Sequence, residues 1–358
     1  MFQAITNTNH GPVPFHAEQA PLRVGLLGLG TVGGGTYRVL VRNQALIAAR
    51  CGRAITITAI AVRNTARAQA MVGSEVRVLS DPFALVNQPD IDVVVETIGG
   101  TTLAKELVLQ AIANGKHVVT ANKALLAEHG AEVFAAAQAC GVIVAYEGAV
   151  AVAIPIVKAL REGLAANRVE SVSGILNGTT NFILTEMQDK GVDFDKALRE
   201  AQARGFAEAD PHLDVQGIDA AHKLCLLAAI AFGTPISLAQ VDVQGIAHLQ
   251  PRDMEEAKQQ GCRIKLLAVA KRDTHGLHLS VRPTLVPAQD WLGCVSGSMN
   301  GILVRSDAAG DTFYYGAGAG SEQTASAVIA DLVDVARAMH CPPQFRVPYL
   351  GTPIQSFS

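Results

Sequence analysis

Residues 205–223 read GFAEADPHLDVQGIDAAHK, so Glu208, Asp210, Asp214 and Asp219 lie just ahead of Lys223, and the next charged residue is Asp242. The intervening LCLLAAIAFGTPISLAQV carries no charge. Asp219 and Lys223 are four apart on a helix expected over about 217–232, hence on one face. Leu226, Leu227 and Ile230 continue that stripe, and a helix apolar nearly all round is buried, so the pair belongs at the rim of a core. Partial burial makes a lysine useful as an acid or base. The plain alternative is an exposed salt bridge, worth about 0.3–0.5 kcal/mol. Asp214 capping the helix, and Glu208 with Asp210 holding a loop, are the corresponding structural readings. A metal centre at Asp210, His212 and Asp214 is the weaker option. Zinc and iron sites favour several histidines, His222 faces away from Lys223, and a lysine competes with a cation.

A second constellation is Gly28-x-Gly30-x-x-Gly33, with Thr31 and Val32 between its last two glycines. It follows the apolar run LRVGLLGLG and opens a helix, the setting in which such glycines cradle a pyrophosphate against helix N–H groups. An ordinary glycine-rich turn is the alternative. The second strand ends in Val62-Arg63-Asn64, without the acid that would bond a ribose 2′-hydroxyl. Arg63 suits a 2′-phosphate, so NADP is expected over NAD, unless Arg63 is merely solvated. VVVETIGG, with Thr97, and VVTANKALL, with Lys123, end at the same sheet edge. A lysine at a helix N-terminus is electrostatically unfavourable, so either solvent or an anionic ligand group is expected to compensate Lys123.

The elements that must position these groups follow from the pattern. Strands are expected at 22–30, 54–63, 92–100, 116–122 and 142–148, with helices between them at 31–50, 102–114 and 123–139. Such alternation gives a doubly wound parallel sheet of Rossmann type. After residue 153 the style changes to an α+β region with strand-like pieces over 262–306, and a long amphipathic helix follows GAGAGSEQTAS. The expected organisation is a flexible tail (1–20), a nucleotide domain (21–150 and about 320–345) and a second domain (151–319). A composition of 49% hydrophobic but only 5% aromatic residues suits buried parallel strands. A net charge of −3 gives no reason to expect nucleic acid or an anionic membrane. No run approaches the roughly 20 apolar residues of a membrane span. Six cysteines lack metal spacing and read as reduced core thiols, which with the absence of a signal peptide points to the cytoplasm.

Together these motifs resemble the homoserine dehydrogenases, from about residue 22 to about 338. The resemblance rests on GLGTVGGG, IGG…GKHVVTANKALLA, GILNGTTNFIL, the 205–224 segment and GAGAGSEQTASAVIADLVDVAR. It implies a Rossmann domain completed by the C-terminal helix, a catalytic and dimerisation domain, and a homodimer or dimer-based oligomer. It implies NAD(P)-dependent interconversion of L-aspartate 4-semialdehyde and L-homoserine in threonine, methionine and isoleucine synthesis. Lys223 matches the family's proton donor or acceptor and Asp219 its partner. Glu208 and Asp214 match residues holding the amino-acid substrate, Thr179 a substrate contact, and Lys123 a lysine beside both ribose and substrate. Gly320 falls where a second glycine run approaches the cofactor. Backbone carbonyls of Glu147, Val150, Val152 and Ile154 match ligands of a monovalent cation, usually sodium. Ala151, Val152 and Ala153 stand where the family often has glycines, which puts that loop's geometry in question. With the chain ending at Ser358, a form without a regulatory ACT or aspartate kinase domain is expected.

Two other readings compete. Aspartate semialdehyde dehydrogenase chemistry needs a cysteine nucleophile with a histidine base, and no cysteine here sits at a helix start. A catalytically silent NADP-binding sensor would not need both Asp219 and Lys223.

Overall fold

A computed structural model of the chain describes residues 20–348. The tail expected over 1–20 falls almost wholly outside them. Six parallel strands form the first sheet: β1 (Leu22–Leu27), β2 (Ile55–Ala61), β3 (Arg77–Leu79), β4 (Val93–Glu96), β5 (His117–Thr120) and β6 (Val144–Ala145). Their order is β3-β2-β1-β4-β5-β6, so the winding reverses between β1 and β4 and opens a crevice at the carboxyl ends. Every residue of β4 and β5 is buried, as expected of strands covered on both faces. The helix Ser321–Ala338 returns to this sheet and packs on the helix Thr31–Arg42.

The second sheet holds β7 (Val169–Ile175), β8 (Asp242–Val243), β9 (Cys262–Asp273), β10 (Gly276–Pro287), β11 (Met299–Ser306) and β12 (Gly310–Ala317), in the order β12-β11-β7-β9-β10-β8. Its pairs are antiparallel except β8 with β10. The helices Gly178–Lys190 and Ile218–Phe232 pack on it. Alternation along β11 sends Ile302 and Val304 into the main core. Leu303 joins Phe313, Val286 and Val295 in a separate small cluster on the opposite face.

Several expected elements differ. The helix foreseen over 31–50 breaks at Asn43 into Thr31–Arg42 and Gln44–Cys51. The strand foreseen over 142–148 shrinks to Val144–Ala145, because the chain then enters a 3-10 turn at Glu147–Ala149. There the Glu147 carboxyl accepts the Val157 and Lys158 N–H groups at 3.0 and 2.9 Å. β3 was not foreseen; three residues among polar neighbours carry no periodicity. The core-thiol reading holds for Cys225 and in part for Cys51, which packs half-buried against the core of the first sheet. Cys140, Cys294 and Cys341 are exposed, Cys140 because its helix ends at the surface on left-handed Gly141. Among the described residues, no helix is long and apolar enough to cross a membrane.

Candidate active site

Gly217, at φ +81°, turns the chain into the helix Ile218–Phe232 and leaves Asp219 in its first turn, where the helix dipole favours a carboxylate. Asp219 and Lys223 are each 8% exposed, so their i,i+4 pair is not a surface bridge. The Lys223 ammonium donates to Asp219 Oδ2 at 2.8 Å and to the Leu176 carbonyl at 2.7 Å. Asp219 Oδ1 lies 3.0 Å from the ammonium of Lys123, at the start of the helix Lys123–Cys140. One carboxylate therefore sits between two lysines from different layers. The electrostatic penalty of a lysine at a helix N-terminus is offset by Asp219, with part of the Lys123 side chain also in solvent.

Burial opposes ionisation of Asp219, but the two cations and the hydrogen bonds from Lys223 and Asn177 outweigh it and hold its carboxyl well below the usual range. Burial also opposes charge on Lys123, yet Asp219, Asp214 and Glu208 raise its pKa above the ordinary lysine value. Asp214 goes the other way. Desolvation and the nearby Asp219 charge push its carboxyl up, against a bond from Asn177.

Asn177, inside GILNGTTNFIL, carries no expectation of a site role from the sequence, yet it organises the acids. Its Nδ2 donates to Asp214 Oδ1 at 2.7 Å and Asp219 Oδ2 at 2.8 Å. Its Oδ1 caps the helix Gly178–Lys190 through the Thr180 N–H at 2.8 Å. An Asn ahead of Gly-Thr-Thr is a cap signal; the bridging role has no local signature. Asp214 does not cap the following helix, since Gly217 occupies that place. Thr179 Oγ1 donates to the Phe206 carbonyl at 2.6 Å, tying the acidic loop to the second layer. Glu208 is exposed and makes no side-chain ion pair among the described residues, although its charge acts on Lys123. Asp210 accepts the His212 N–H at 3.1 Å, a turn contact.

At the carboxyl edge of the first sheet the glycines have separate reasons. Gly28 has φ +93°. A Cβ on Gly33 would lie 2.2 Å from the Gly28 carbonyl oxygen, whereas a Cβ on Gly30 would meet nothing within 4 Å, leaving room for a phosphate. The helix Thr31–Arg42 begins with no capping side chain and no acid in its first turn, so its N–H groups are available to an anion. Val32 packs partly buried against the sheet core. Thr97 Oγ1 donates to the Leu27 carbonyl at 2.8 Å, and Ser321 Oγ to the Thr31 carbonyl at 2.6 Å. Gly320, at φ +131°, thus stands beside the first glycine run. Arg63 is exposed just past β2, next to Asn64, which caps its helix. These residues fit a dinucleotide.

The carbonyl-bearing residues Glu147, Val150, Val152 and Ile154 lie on the loop after β6. The Glu147 carbonyl accepts the Val150 N–H at 3.4 Å and that of Ile154 the Ile156 N–H at 2.7 Å. Ala151 is held at φ +52°, so the left-handed bend survives without a glycine. Among the described residues, no group of three or more His, Cys, Asp or Glu could hold a metal.

Comparison with known proteins agrees with this geometry. Residues 28–147 match the homoserine dehydrogenase NAD-binding domain and residues 155–333 the homoserine dehydrogenase family. Homoserine dehydrogenase of Pseudomonas aeruginosa is 56% identical over 331 residues, covering 92% of this chain and 76% of that protein. The Neisseria gonorrhoeae enzyme is 52% identical over the same shares. The crystal structure of a homoserine dehydrogenase from Thiobacillus denitrificans superposes with a TM-score of 0.90 at 57% identity, covering 93% of this chain and 77% of that one.

Proposed function

The chain belongs to the homoserine dehydrogenase family, and from that premise we propose that Lys223 and Asp219 manage the proton of the reaction while Glu208 and Asp214 hold the substrate. The enzyme interconverts L-aspartate 4-semialdehyde and L-homoserine with NAD(P) in amino-acid biosynthesis. A bound nicotinamide supplies or takes the hydride at the substrate's terminal carbon. The protein's share is to give a proton to the developing alkoxide, or to take it in reverse.

The observation that carries this reading is the coordination of Lys223. Its ammonium has three N–H donors and spends two on Asp219 and Leu176, leaving one for a substrate oxygen. Asp219 fixes the direction of that donor. Lys123 approaches the same carboxylate from the nucleotide side and stands between cofactor and substrate. The substrate's own ammonium needs carboxylates, and Asp214 with the exposed Glu208 supplies them; Thr179 holds the loop that carries Glu208. Lys223→Ala is expected to abolish turnover of L-homoserine while NADPH still binds and the melting curve stays cooperative. Substantial remaining turnover would remove Lys223 from the proton step.

Three finer assignments belong to the same proposal. NADP is preferred over NAD, supported by Arg63 where a carboxylate would otherwise meet the ribose. A monovalent cation such as sodium is held by carbonyls of the Glu147–Ile154 loop, supported by the bend kept at Ala151; replacing sodium by a large organic cation should then lower the melting temperature. The protein works as a homodimer, supported by Trp291 and Tyr315, which are 52% and 57% exposed beside the small apolar cluster of the second sheet. Sedimentation of wild type against Tyr315→Asp tests that face.

A further inference from the structure

Glu96, the last residue of β4, is fully buried at the carboxyl edge of the first sheet. Nothing in the proton or substrate machinery above uses it. Three donors converge on its carboxyl. Oε1 accepts the Ile98 and Gly99 N–H groups at 2.9 and 3.0 Å, and Oε2 accepts the hydroxyl of Thr120 at 2.6 Å. Thr120 is its cross-strand neighbour at the end of β5 and is equally buried. The Thr120 oxygen in turn accepts the Asn122 N–H at 3.0 Å. Asn122 Nδ2 reaches back to the Gly100 carbonyl at 2.7 Å, and its Oδ1 caps the Lys123 helix through the Leu125 N–H at 3.1 Å.

This ring of bonds closes two loops onto each other. One is 97–100, where Gly99 and Gly100 stand at φ +74° and +73°, open to glycine without steric cost but at the entropic cost of fixing so free a residue. The other is 121–123, which delivers Lys123 to Asp219. Thr97, the next residue, anchors the first loop to the Leu27 carbonyl beside Gly28. The ends of β1, β4 and β5, which together line the cofactor crevice, are thus registered through one side chain.

We propose that Glu96, acting through Thr120 and Asn122, is a positioning residue that sets the nicotinamide-side loop and Lys123 against the rest of the site. The inference rests on the reading of Lys123 as a residue between cofactor and substrate. Chemistry explains the residue type. All three partners are donors, so both oxygens must accept. A glutamine can keep Oε1 on the two backbone N–H groups only by turning its Nε2 to Thr120, whose hydroxyl must then rotate and accept in place of donating. A shift of about 1 Å in such a support costs on the order of 100-fold in rate.

The test compares Thr120→Val with Thr120→Ser, together with Glu96→Gln. Val preserves the shape and removes the hydroxyl, whereas Ser preserves the hydroxyl and removes a methyl. The expected result is a 10- to 100-fold loss of kcat/KM for L-homoserine, with weakened NADPH binding, in Thr120→Val but only about a threefold change in Thr120→Ser. Glu96→Gln should lose less than Thr120→Val, because the rotated Thr120 hydroxyl keeps its leg of the ring, whereas the double variant leaves the amide without that acceptor and should lose at least as much as Thr120→Val. A packing role predicts the reverse order, with Val tolerated and Ser damaged. That order, or turnover near wild type in Thr120→Val, overturns the proposal whether or not Glu96→Gln folds. Lys123→Ala separates the two readings. If it alone is silent while Thr120→Val loses NADPH affinity, the Lys123 assignment falls and Glu96 stands. If Lys123→Ala is inactive and Thr120→Val is not, Glu96 has no positioning role.

Discussion

Replacing Asp219 by asparagine keeps the shape of the side chain and removes its charge from between two ammoniums. Asp219 Oδ1 faces Lys123 at 3.0 Å, and Oδ2 faces Lys223 and Asn177, both at 2.8 Å. Every neighbour is a donor, so either orientation of the new amide turns an NH₂ toward a lysine. Removing one partner of a buried ion pair typically costs about 3–5 kcal/mol. Lys123 keeps 36% of its side chain in solvent, and Lys223 retains the Leu176 carbonyl. The loss of folding stability should therefore be smaller, about 2–3 kcal/mol. Lys123, held above its ordinary pKa chiefly by Asp219 against desolvation, loses most of that support. Activity should fall further than stability, because the free N–H of Lys223 loses its aim. A mispositioned general acid forfeits about 10²- to 10⁴-fold. The assay is steady-state homoserine oxidation followed by nicotinamide absorbance, with NADPH binding and urea unfolding measured on the same protein. A variant unfolding at lower urea but keeping kcat within about fivefold of wild type would show that Asp219 is a staple and not a director of the proton.

Other residues carry further expectations. Arg63→Ala should raise KM for NADP about tenfold while that for NAD moves little, the size of one exposed charge-assisted bond; equal changes in both would remove Arg63 from 2′-phosphate recognition. His117 is buried, its Nδ1 accepts the Ile143 N–H at 2.9 Å, and burial lowers its pKa to about 4. The unfolded chain takes up that proton first, so this stability is complete above about pH 6.5 and is lost as pH falls toward about 4, by up to about 3 kcal/mol. His117→Asn, which keeps an acceptor but cannot titrate, should flatten the acid side of a urea-midpoint profile; an unchanged slope would refute the assignment. Ala151, at φ +52°, should tolerate Gly with less than about 1 kcal/mol change, since relieved strain offsets the looser unfolded chain. Ala151→Val should cost about 2–4 kcal/mol by thermal denaturation, and a neutral Val would mean the bend is not strained.

What could be read from the sequence was what lies within one turn or one motif. Gly28 and Gly33 announce themselves because a positive φ and a close carbonyl exclude a side chain, and Gly30 because the spacing leaves room for a phosphate. Asp219 and Lys223 announce themselves because a charged pair at helical spacing leads into an otherwise apolar helix. The first sheet was legible for the same reason, apart from β3 and the shortened β6, where a few residues decide and tertiary contacts outweigh propensity. Asn177, Glu96 and the Leu176 carbonyl were not legible as site residues. An asparagine cap, a strand-end acid and a free carbonyl are ordinary locally, and become particular only when distant segments meet them.

Lys123 shows where the boundary lies. Its position at a helix N-terminus is unfavourable by a local rule, and that rule asks only for some compensation, from solvent or from an anion. It does not say which one. The anion is Asp219, ninety-six positions later in sequence, at the N-terminus of a helix in the other layer, where a carboxylate is favoured by the same dipole that disfavours the lysine. Two helix termini thus complete each other across the junction of the nucleotide-binding sheet and the substrate layer. Because Asp219 also holds Lys223, any displacement of one layer against the other changes the Lys123 contact and the direction of the proposed proton donor together. Loss of the Lys123 ammonium should therefore disturb the proton step at Lys223 as well as the cofactor side. In Lys123→Met, an uncharged side chain of similar length, the fall in kcat should exceed any change in NADPH affinity, and the reverse order would uncouple the two lysines.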